Sequence, residues 1–256
     1  MQDTSLVAVG ARMLGEIEEV GLDEVLVSLR DAVANGNVEQ PNTTTTKSII
    51  ARSTRVFPIP GLNELVQRHL RDTTRSGGTP QPLGIAGRYH ELLYLLVATL
   101  ISPPWEKTIS IVDFDGRFDA VRLLVTRPVG TCAPDKVRRQ DLEHVYVWRP
   151  DKGYGGDVYA EVDRFMMYGD HGSRRREWWG TVVIGAPGNM AGKSSAHVAV
   201  TAGRKGWLRV DRAQIQGFGG KGVEQALRER ESRQAAVAAA GWVGSSLWGD
   251  FTFGGH

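Results

Sequence analysis

Two acids close an apolar run near the middle of the chain, in the string Asp113-Phe114-Asp115-Gly116. The run itself, Thr108 to Phe114, is rich in β-branched residues and has the length of a strand. Because ligands of open α/β sheets bind beyond the carboxyl ends of strands, an acid here can orient a water molecule for attack on a phosphate. The two acids are therefore candidates for phosphoryl chemistry. The alternative is that Asp115 and Gly116 only form the turn after a buried strand.

A second candidate for phosphate chemistry is the string Gly185 to Ser194, which ends in Gly192-Lys193-Ser194. A working phosphate loop needs glycine-rich backbone N–H groups at a helix N-terminus, a lysine, and a hydroxyl that holds magnesium. Here Pro187 stands in the place of the first glycine, and His197 to Thr201 predicts a strand instead of the required helix. The string is interpreted as a flexible insertion. An active ATPase or kinase that uses it, with an acid of the first string on magnesium, is the alternative.

A third candidate is basic. Arg174, Arg175 and Arg176 are consecutive and are followed by Trp178 and Trp179. Arginines that contact phosphates and aromatic rings that stack on bases together form nucleic-acid surfaces, so this segment is a candidate DNA contact of a stand-alone binding module. The alternative is a solvated basic loop before a strand whose tryptophans pack in the core.

Composition argues against several other kinds of site. The six histidines lack the spacing of metal ligands, and the single cysteine, Cys132, can form neither a zinc cluster nor an internal disulfide. No Gly-x-Ser-x-Gly elbow is present, so a serine hydrolase is not indicated. The net charge of +2 gives no overall field that favours nucleic acid or a membrane, and any DNA contact has to be local.

The absence of a second cysteine fits a reducing compartment. Met1 to Gly10 lacks the basic start and the long apolar stretch of a secretory signal. The longest apolar run, Leu92 to Ile101, is half of the ~20 residues that a membrane span needs. We therefore expect a buried helix there and no membrane contact.

Helical and strand patterns alternate along the chain. Apolar residues at helical spacing predict helices near Asp23–Val33 and after Pro60. Further helices are predicted over the apolar run Glu91–Ile101, over Asp157–Tyr168 and, from helix propensity, over Val223–Ala240 at the surface. Strands are predicted over Thr108–Phe114, His144–Trp148 and Thr181–Ile184. This alternation predicts an α/β fold with a mostly parallel sheet flanked by helices. Residues 241–256 mix glycine, tryptophan and phenylalanine, and no element is predicted for them.

The chain divides into a short helical segment over 1–34, a polar linker over 35–50 and a main domain over 51–256. One face of the first helix is apolar and is formed by Leu22, Val25, Leu26, Leu29 and Val33. That face needs a cover, and the polar linker frees it to reach one, so it is a candidate docking site for a partner. The alternative is that it folds back on its own core.

Three strings carry a resemblance. After the acids come Phe118-Asp119 and Arg122-Leu123; upstream stands Glu91-Leu92-Leu93-Tyr94, and downstream Gly206 to Arg212 precedes a charged segment. In this order, over roughly residues 80 to 240, they resemble the eukaryotic RecA-family recombinases and their paralogues. The resemblance implies a RecA-like core over 51–256 and puts Asp115 in the position of the acid that polarises the attacking water.

The resemblance also sets the register of the nucleotide motifs. It puts Arg88-Tyr89-His90 where a phosphate loop has Gly-Lys-Thr, while Gly84 and Gly87 remain glycines. Tyrosine supplies no positive charge and histidine is a poor substitute for a magnesium-binding hydroxyl, although Arg88 can still touch an anion. The strand that should end in the aspartate of the second motif ends at Gly185.

These replacements predict that ATP is not hydrolysed and that Asp115 is a vestigial acid. ATP and magnesium are expected as cofactors only if the degenerate site functions. The stretch Thr79-Pro80-Gln81-Pro82 is expected to interrupt the strand before the loop, because proline cannot donate to a sheet ladder.

The resemblance implies a function as well. We expect a non-catalytic recombinase paralogue, located in the nucleus, that acts as a structural or mediator subunit in the repair of DNA by homologous recombination. Its expected partners are other recombinase paralogues in a hetero-oligomeric complex, with single-stranded or forked DNA reached through that complex.

Overall fold

The structure is a computed structural model that describes residues 55–78, 81–151, 157–187, 196–214 and 230–254. Several predicted features lie outside the described residues: the linker 35–50, the string Gly192-Lys193-Ser194, the part 223–229 of the helix predicted over Val223–Ala240, and the N-terminal helix with Leu22, Val25, Leu26, Leu29 and Val33. Their structural roles therefore remain predictions from the sequence.

Helices and strands alternate through most of the described ranges. The α-helices there are α1 (Pro60–Arg75), α2 (His90–Ile101), α3 (Val158–Tyr168) and α4 (Arg230–Ala240), and two short 3-10 helices span Ala120–Val125 and Arg139–His144. The strands are β1 (Leu83–Gly87), β2 (Thr108–Asp113), β3 (Val145–Trp148), β4 (Trp178–Ile184), β5 (Val198–Ala202), β6 (Leu208–Arg212), β7 (Trp242–Ser246) and β8 (Gly249–Phe253).

All eight strands form one sheet in the order β3-β2-β4-β5-β1-β6-β7-β8. From β3 to β6 along the sheet, every two neighbouring strands are parallel. The pairs β6-β7 and β7-β8 are antiparallel. The prediction of an α/β fold with a mostly parallel sheet and flanking helices is confirmed. Parallel order brings the carboxyl ends of β1, β2 and β4 to one edge of the sheet.

Both faces of the sheet are covered. Because side chains alternate along each strand, one strand can contribute to the core on either face. On β2, Ile109 and Ile111 belong to the larger core, which contains α1 and α2, and Val112 belongs to a smaller core against α3. All residues of α2 from Leu92 to Ile101 are buried, so this helix is apolar around its whole circumference. No helix in the described ranges combines the length and hydropathy of a membrane span.

Two sequence expectations differ from the structure. The expected interruption before the loop is wrong, because β1 starts at Leu83, directly after Pro82, and needs no N–H from that proline. The segment without a predicted element forms the hairpin of β7 and β8. In β8, Phe251 and Phe253 are buried while Thr252 is exposed, a strand alternation too short to stand out in the sequence.

Three aromatic side chains hold α1 against the antiparallel end of the sheet. His69 of α1 stacks on Trp207 with ring centroids 4.4 Å apart and meets the edge of Trp248 at 4.3 Å. His69 is buried, and neither of its ring nitrogens has a hydrogen-bond partner among the described residues. Burial lowers the pKa of His69 below its ordinary value, and the nearby carboxylate of Asp72 opposes this effect.

Stability should therefore fall as the pH is lowered through the ordinary histidine pKa of 6.5, because below it the unfolded chain binds a proton that folded His69 refuses. His69→Phe should make the dependence of the unfolding free energy on pH less steep. Urea denaturation from about pH 8 to about pH 5 measures this. His90 and His144, whose pKa values burial also lowers, account for the slope that remains. An unchanged slope in His69→Phe would contradict the expectation.

Candidate functional site

The connection between β1 and α2, where the sequence predicts a phosphate loop, is very short. β1 ends at Gly87 and α2 begins at His90, so only Arg88 and Tyr89 lie between strand and helix. Gly84 is inside β1, where its close neighbour is the Cα of Gly206. Of the five residues of the predicted loop, two therefore connect the elements, two are strand residues, and His90 starts the helix.

Gly87 and Arg88 are fixed by β6. Gly87 has φ +79, and a Cβ at this position would overlap the carbonyl oxygen of Val210. The backbone N–H of Arg88 donates to that same oxygen at 2.7 Å. A phosphate cradle uses free backbone N–H groups in front of a helix, but this one is already bonded within the sheet.

Asp113, at the carboxyl end of β2, organises the turn after that strand. It is 1% exposed, and its carboxylate accepts from the backbone N–H groups of Asp115 at 3.2 Å, Gly116 at 2.9 Å and Phe118 at 2.7 Å. Both oxygens of Asp113 are thus used by the backbone, as in an Asx turn. Asp113 shapes the turn, and Asp115 is the acid that this turn presents at the surface.

The carboxylate of Asp115 lies over the end of the neighbouring strand β4. Gly185 comes directly after β4 with φ +67, and a Cβ built on it would overlap the carboxyl group of Asp115. Gly185 is the position at which the resemblance expects an aspartate. One acid, carried by β2, therefore occupies the space in which a second acid from β4 would begin.

Tyr89 reaches the same acid from the β1 side. Its hydroxyl donates to Oδ2 of Asp115 at 3.5 Å, at the long end of the hydrogen-bond range. Burial, and then the negative charge of Asp115, raises the pKa of Tyr89, so the hydroxyl stays protonated at neutral pH. At the position expected for lysine the chain thus carries Tyr89, a neutral side chain whose hydroxyl donates a hydrogen bond to Asp115.

An open cavity of about 470 Å³ lies beside these residues. It is lined by Gly87, Arg88, Tyr89, His90, Glu91, Arg117, Arg122 and Trp242. Arg122 pairs with Glu91 and lies over the ring of Tyr94. Arg88 and Arg117 have no ion-pair partner among the described residues, so the cavity is locally cationic.

The histidine of this cavity is held neutral. Burial lowers the pKa of His90, and the positive charge of Arg117 lowers it further. Nε2 of His90 is buried without a hydrogen-bond partner in the described part of the chain. The cavity therefore suits an anion more than a magnesium ion. Across the described ranges no group of three or more His, Cys, Asp or Glu residues is arranged to hold a metal.

The three consecutive arginines lie at the opposite edge of the sheet, before the amino end of β4. Arg176 is largely buried, pairs with the buried carboxylate of Asp141 at 3.1 Å and donates to the carbonyl of Ile101 at 2.8 Å. Arg174 and Arg175 are exposed. The run therefore separates into one structural arginine and two that face solvent.

The two tryptophans after this run are packed and do not face solvent as a pair. Trp179 is buried with its ring edge-on to Phe57 at 5.4 Å. Trp178 stacks on His197 at 4.6 Å and donates from Nε1 to Oγ of Ser110 at 3.1 Å. Base stacking by this pair has no support in the geometry.

Sequence reasoning did not single out Arg117, Arg122 or Trp242 as site residues. Arg117 comes directly after the string of the two acids, two residues after Asp115, and its charge was a usable signal. Trp242 begins β7 and reaches the cavity only because the hairpin packs beside β6. No local pattern in the sequence indicates that contact.

The contact between Asp115 and Gly185 gives a testable coupling. Gly185→Ala should lower the free energy of unfolding by about 1–3 kcal/mol, because a side chain at positive φ is strained and its Cβ meets the Asp115 carboxylate. Adding Asp115→Ala should restore part of this loss, which denaturation of the two single variants and the double variant measures. Gly203→Ala is the control, since a Cβ there meets no atom within 4 Å. Strict additivity of the two changes would show that the carboxylate does not lie over Gly185.

Comparison with known proteins assigns nothing to this site. The chain gave no match to a protein-family model, to a curated protein or to a solved structure. The case for a function therefore rests on the sequence strings and on the geometry of the described residues.

Proposed function

We propose that this chain is a non-catalytic paralogue of the eukaryotic RecA-family recombinases, with a RecA-like core that serves as a structural or mediator subunit in homologous recombination. The observation that carries the proposal is the two-residue connection between β1 and α2. A connection of this length, with the N–H of Arg88 bonded to Val210, is shorter than the glycine-rich loop that cradles a triphosphate in a phosphate loop.

The fold is compatible with this assignment. A parallel sheet with β1 near its centre leads into the central helix α2, and β2 ends in the turn that presents Asp115. The acid, the residual loop and the end of β4 meet at one edge of the sheet, as the resemblance requires. The RecA-like identity of the core itself is part of the proposal.

The chemistry at that edge supports a role without hydrolysis. Phosphoryl transfer is accelerated by groups that neutralise charge on the transferred phosphate, chiefly magnesium and a lysine. Here Tyr89 stands for the lysine, His90 for the hydroxyl and Gly185 for the aspartate. The one acid left, Asp115, is hydrogen-bonded to Tyr89.

A core that keeps its sheet and loses its hydrolytic groups retains surfaces for assembly. The proposed partners are other recombinase paralogues in the nucleus, and the proposed substrate of the assembly is single-stranded or forked DNA. The N-terminal helix with Leu26 and Leu29 remains the predicted docking element, outside the described residues.

Nucleotide binding separates this proposal from the active ATPase or kinase alternative. The full chain should show no magnesium-dependent, micromolar affinity for a fluorescent ATP analogue and no ATP turnover above background. Lys193→Ala should leave both measurements unchanged, as should Lys205→Ala, a matched lysine at an exposed position. Tight binding that Lys193→Ala abolishes and Lys205→Ala preserves would replace the proposal with the alternative.

Assembly is the second test. When the chain is co-expressed with the other recombinase paralogues of its organism, it should co-purify with at least one of them after nuclease treatment. Leu26→Asp with Leu29→Asp should weaken that association, because charge on an apolar docking face carries a desolvation penalty. Ser28→Asp, which adds charge outside that apolar set, is the control. Failure to bind any paralogue would overturn the proposal.

A further inference from the structure

Residues 170–176, in the loop between α3 and β4, are held in one conformation by their inward side chains. Nε2 of His171 donates to the carbonyl of Met166 at 3.1 Å, and Nδ1 then accepts from the backbone N–H of Ser173 at 3.3 Å. These two bonds fix the tautomer of the imidazole and tie the loop to the end of α3.

Ser173 and Arg176 anchor the rest of the loop. Ser173 is 1% exposed, and its Oγ lies 2.7 Å from Nδ1 of His144 and 3.0 Å from the hydroxyl of Tyr146. Arg176 is held by the buried carboxylate of Asp141. The loop is therefore organised before any ligand arrives, and the two outward residues between these anchors are Arg174 and Arg175.

An exposed aromatic ring shares a cavity with Arg174, the first of the two outward arginines. Tyr168, the last residue of α3, is 77% exposed, and the preceding Met167 is 53% exposed. Tyr168, Met167 and Arg174 line one cavity of about 260 Å³. Large exposed side chains grouped at a cavity mark binding surfaces, because isolated apolar side chains are common but grouped ones are not.

A buried polar group also lines this cavity. Thr108, the first residue of β2, is 0% exposed, and its Oγ1 has no hydrogen-bond partner among the described residues. An unpaired buried hydroxyl is unfavourable unless a ligand or a water molecule satisfies it. Thr108 is fully enclosed, so the cavity presents to a ligand the exposed Tyr168 and the positive charge of Arg174.

An exposed aromatic face beside a guanidinium suits one kind of ligand. Single-stranded nucleic acids present unstacked base faces to aromatic rings and phosphates to arginines, whereas a duplex hides its base faces. An acidic peptide would use the arginines but not the ring. Arg174 pairs with Asp170 at 3.4 Å, and both side chains are exposed. Such a surface ion pair is weak, so Arg174 can leave Asp170 and bind a phosphate.

We propose that Tyr168, Arg174 and Arg175 form a binding surface for single-stranded nucleic acid, in which the ring of Tyr168 stacks on a base and the two arginines contact flanking phosphates. The surface lies at the amino ends of β2 and β4, at the opposite edge of the sheet from Asp115. It goes beyond the proposed function, in which the chain reaches DNA through its complex. It stands or falls independently of the test of nucleotide binding.

Fluorescence anisotropy of the full chain with a labelled oligothymidylate of about 20 nucleotides tests the proposal. Tyr168→Ala should weaken binding about tenfold, and Tyr168→Phe should retain it, because the stacking face is kept. Arg174→Glu with Arg175→Glu should weaken binding more than tenfold at low salt. The same pair should also reduce the salt slope of log K by about 1.4, the value for two phosphate contacts on a single strand.

The matched control is Arg71→Glu with Arg75→Glu on α1, which changes the net charge equally at two other exposed arginines. If both double variants weakened binding equally, the loss of affinity would follow from net charge alone, and the proposal would be overturned. So would competition by an unlabelled duplex as strong as that of the single strand, or absence of binding by the wild-type chain. Competition by poly-glutamate together with an unchanged Tyr168→Ala affinity would identify an acidic protein surface as the partner instead.

Discussion

The sheet edge at the carboxyl ends of β1, β2 and β4 depends on contacts with the carbonyl oxygen of Val210. This oxygen accepts the N–H of Arg88 at 2.7 Å and leaves room only for glycine at Gly87. Together these contacts turn the chain from β1 into α2 within two residues. Because α2 is buried around its whole circumference, its start cannot shift without disturbing the core. A longer phosphate cradle would require the core to be rebuilt.

The electrostatics of this edge arise from the same short turn. Tyr89 is brought close enough to bond to Asp115, and Asp115 in turn lies over Gly185. The carboxylate of Asp115 thus lies at the ends of both β2 and β4. Tyr89, next to it, and His90, in the same cavity, are both neutral at neutral pH. Arg88 and Arg117 leave the adjoining cavity positive, so its described lining attracts anions.

The opposite edge of the sheet is organised by a different device. There His171, Ser173 and Arg176 of the loop before β4 bond to Met166, His144 and Asp141, respectively, so the backbone that carries the exposed arginines is held in place. Side chains held in place lose less conformational entropy when they bind a ligand. The two edges therefore differ in chemistry, with an open cationic cavity beside Tyr89 at one and the exposed arginines Arg174 and Arg175 at the other.

The sequence by itself determined the elements whose signal is local: the periodic helices α1 to α3, the apolar runs of β2 and β4, and the acid that ends β2. Helical and strand periods arise from neighbours along the chain, so they are visible in one dimension. The tertiary structure alone decided the length of the turn at Gly87, the burial of Arg176, the meeting of Asp115 with Gly185 and the approach of Trp242 to the cavity. Each of these depends on contacts between residues far apart in sequence, and the sheet order that creates those contacts leaves no periodic trace along the chain.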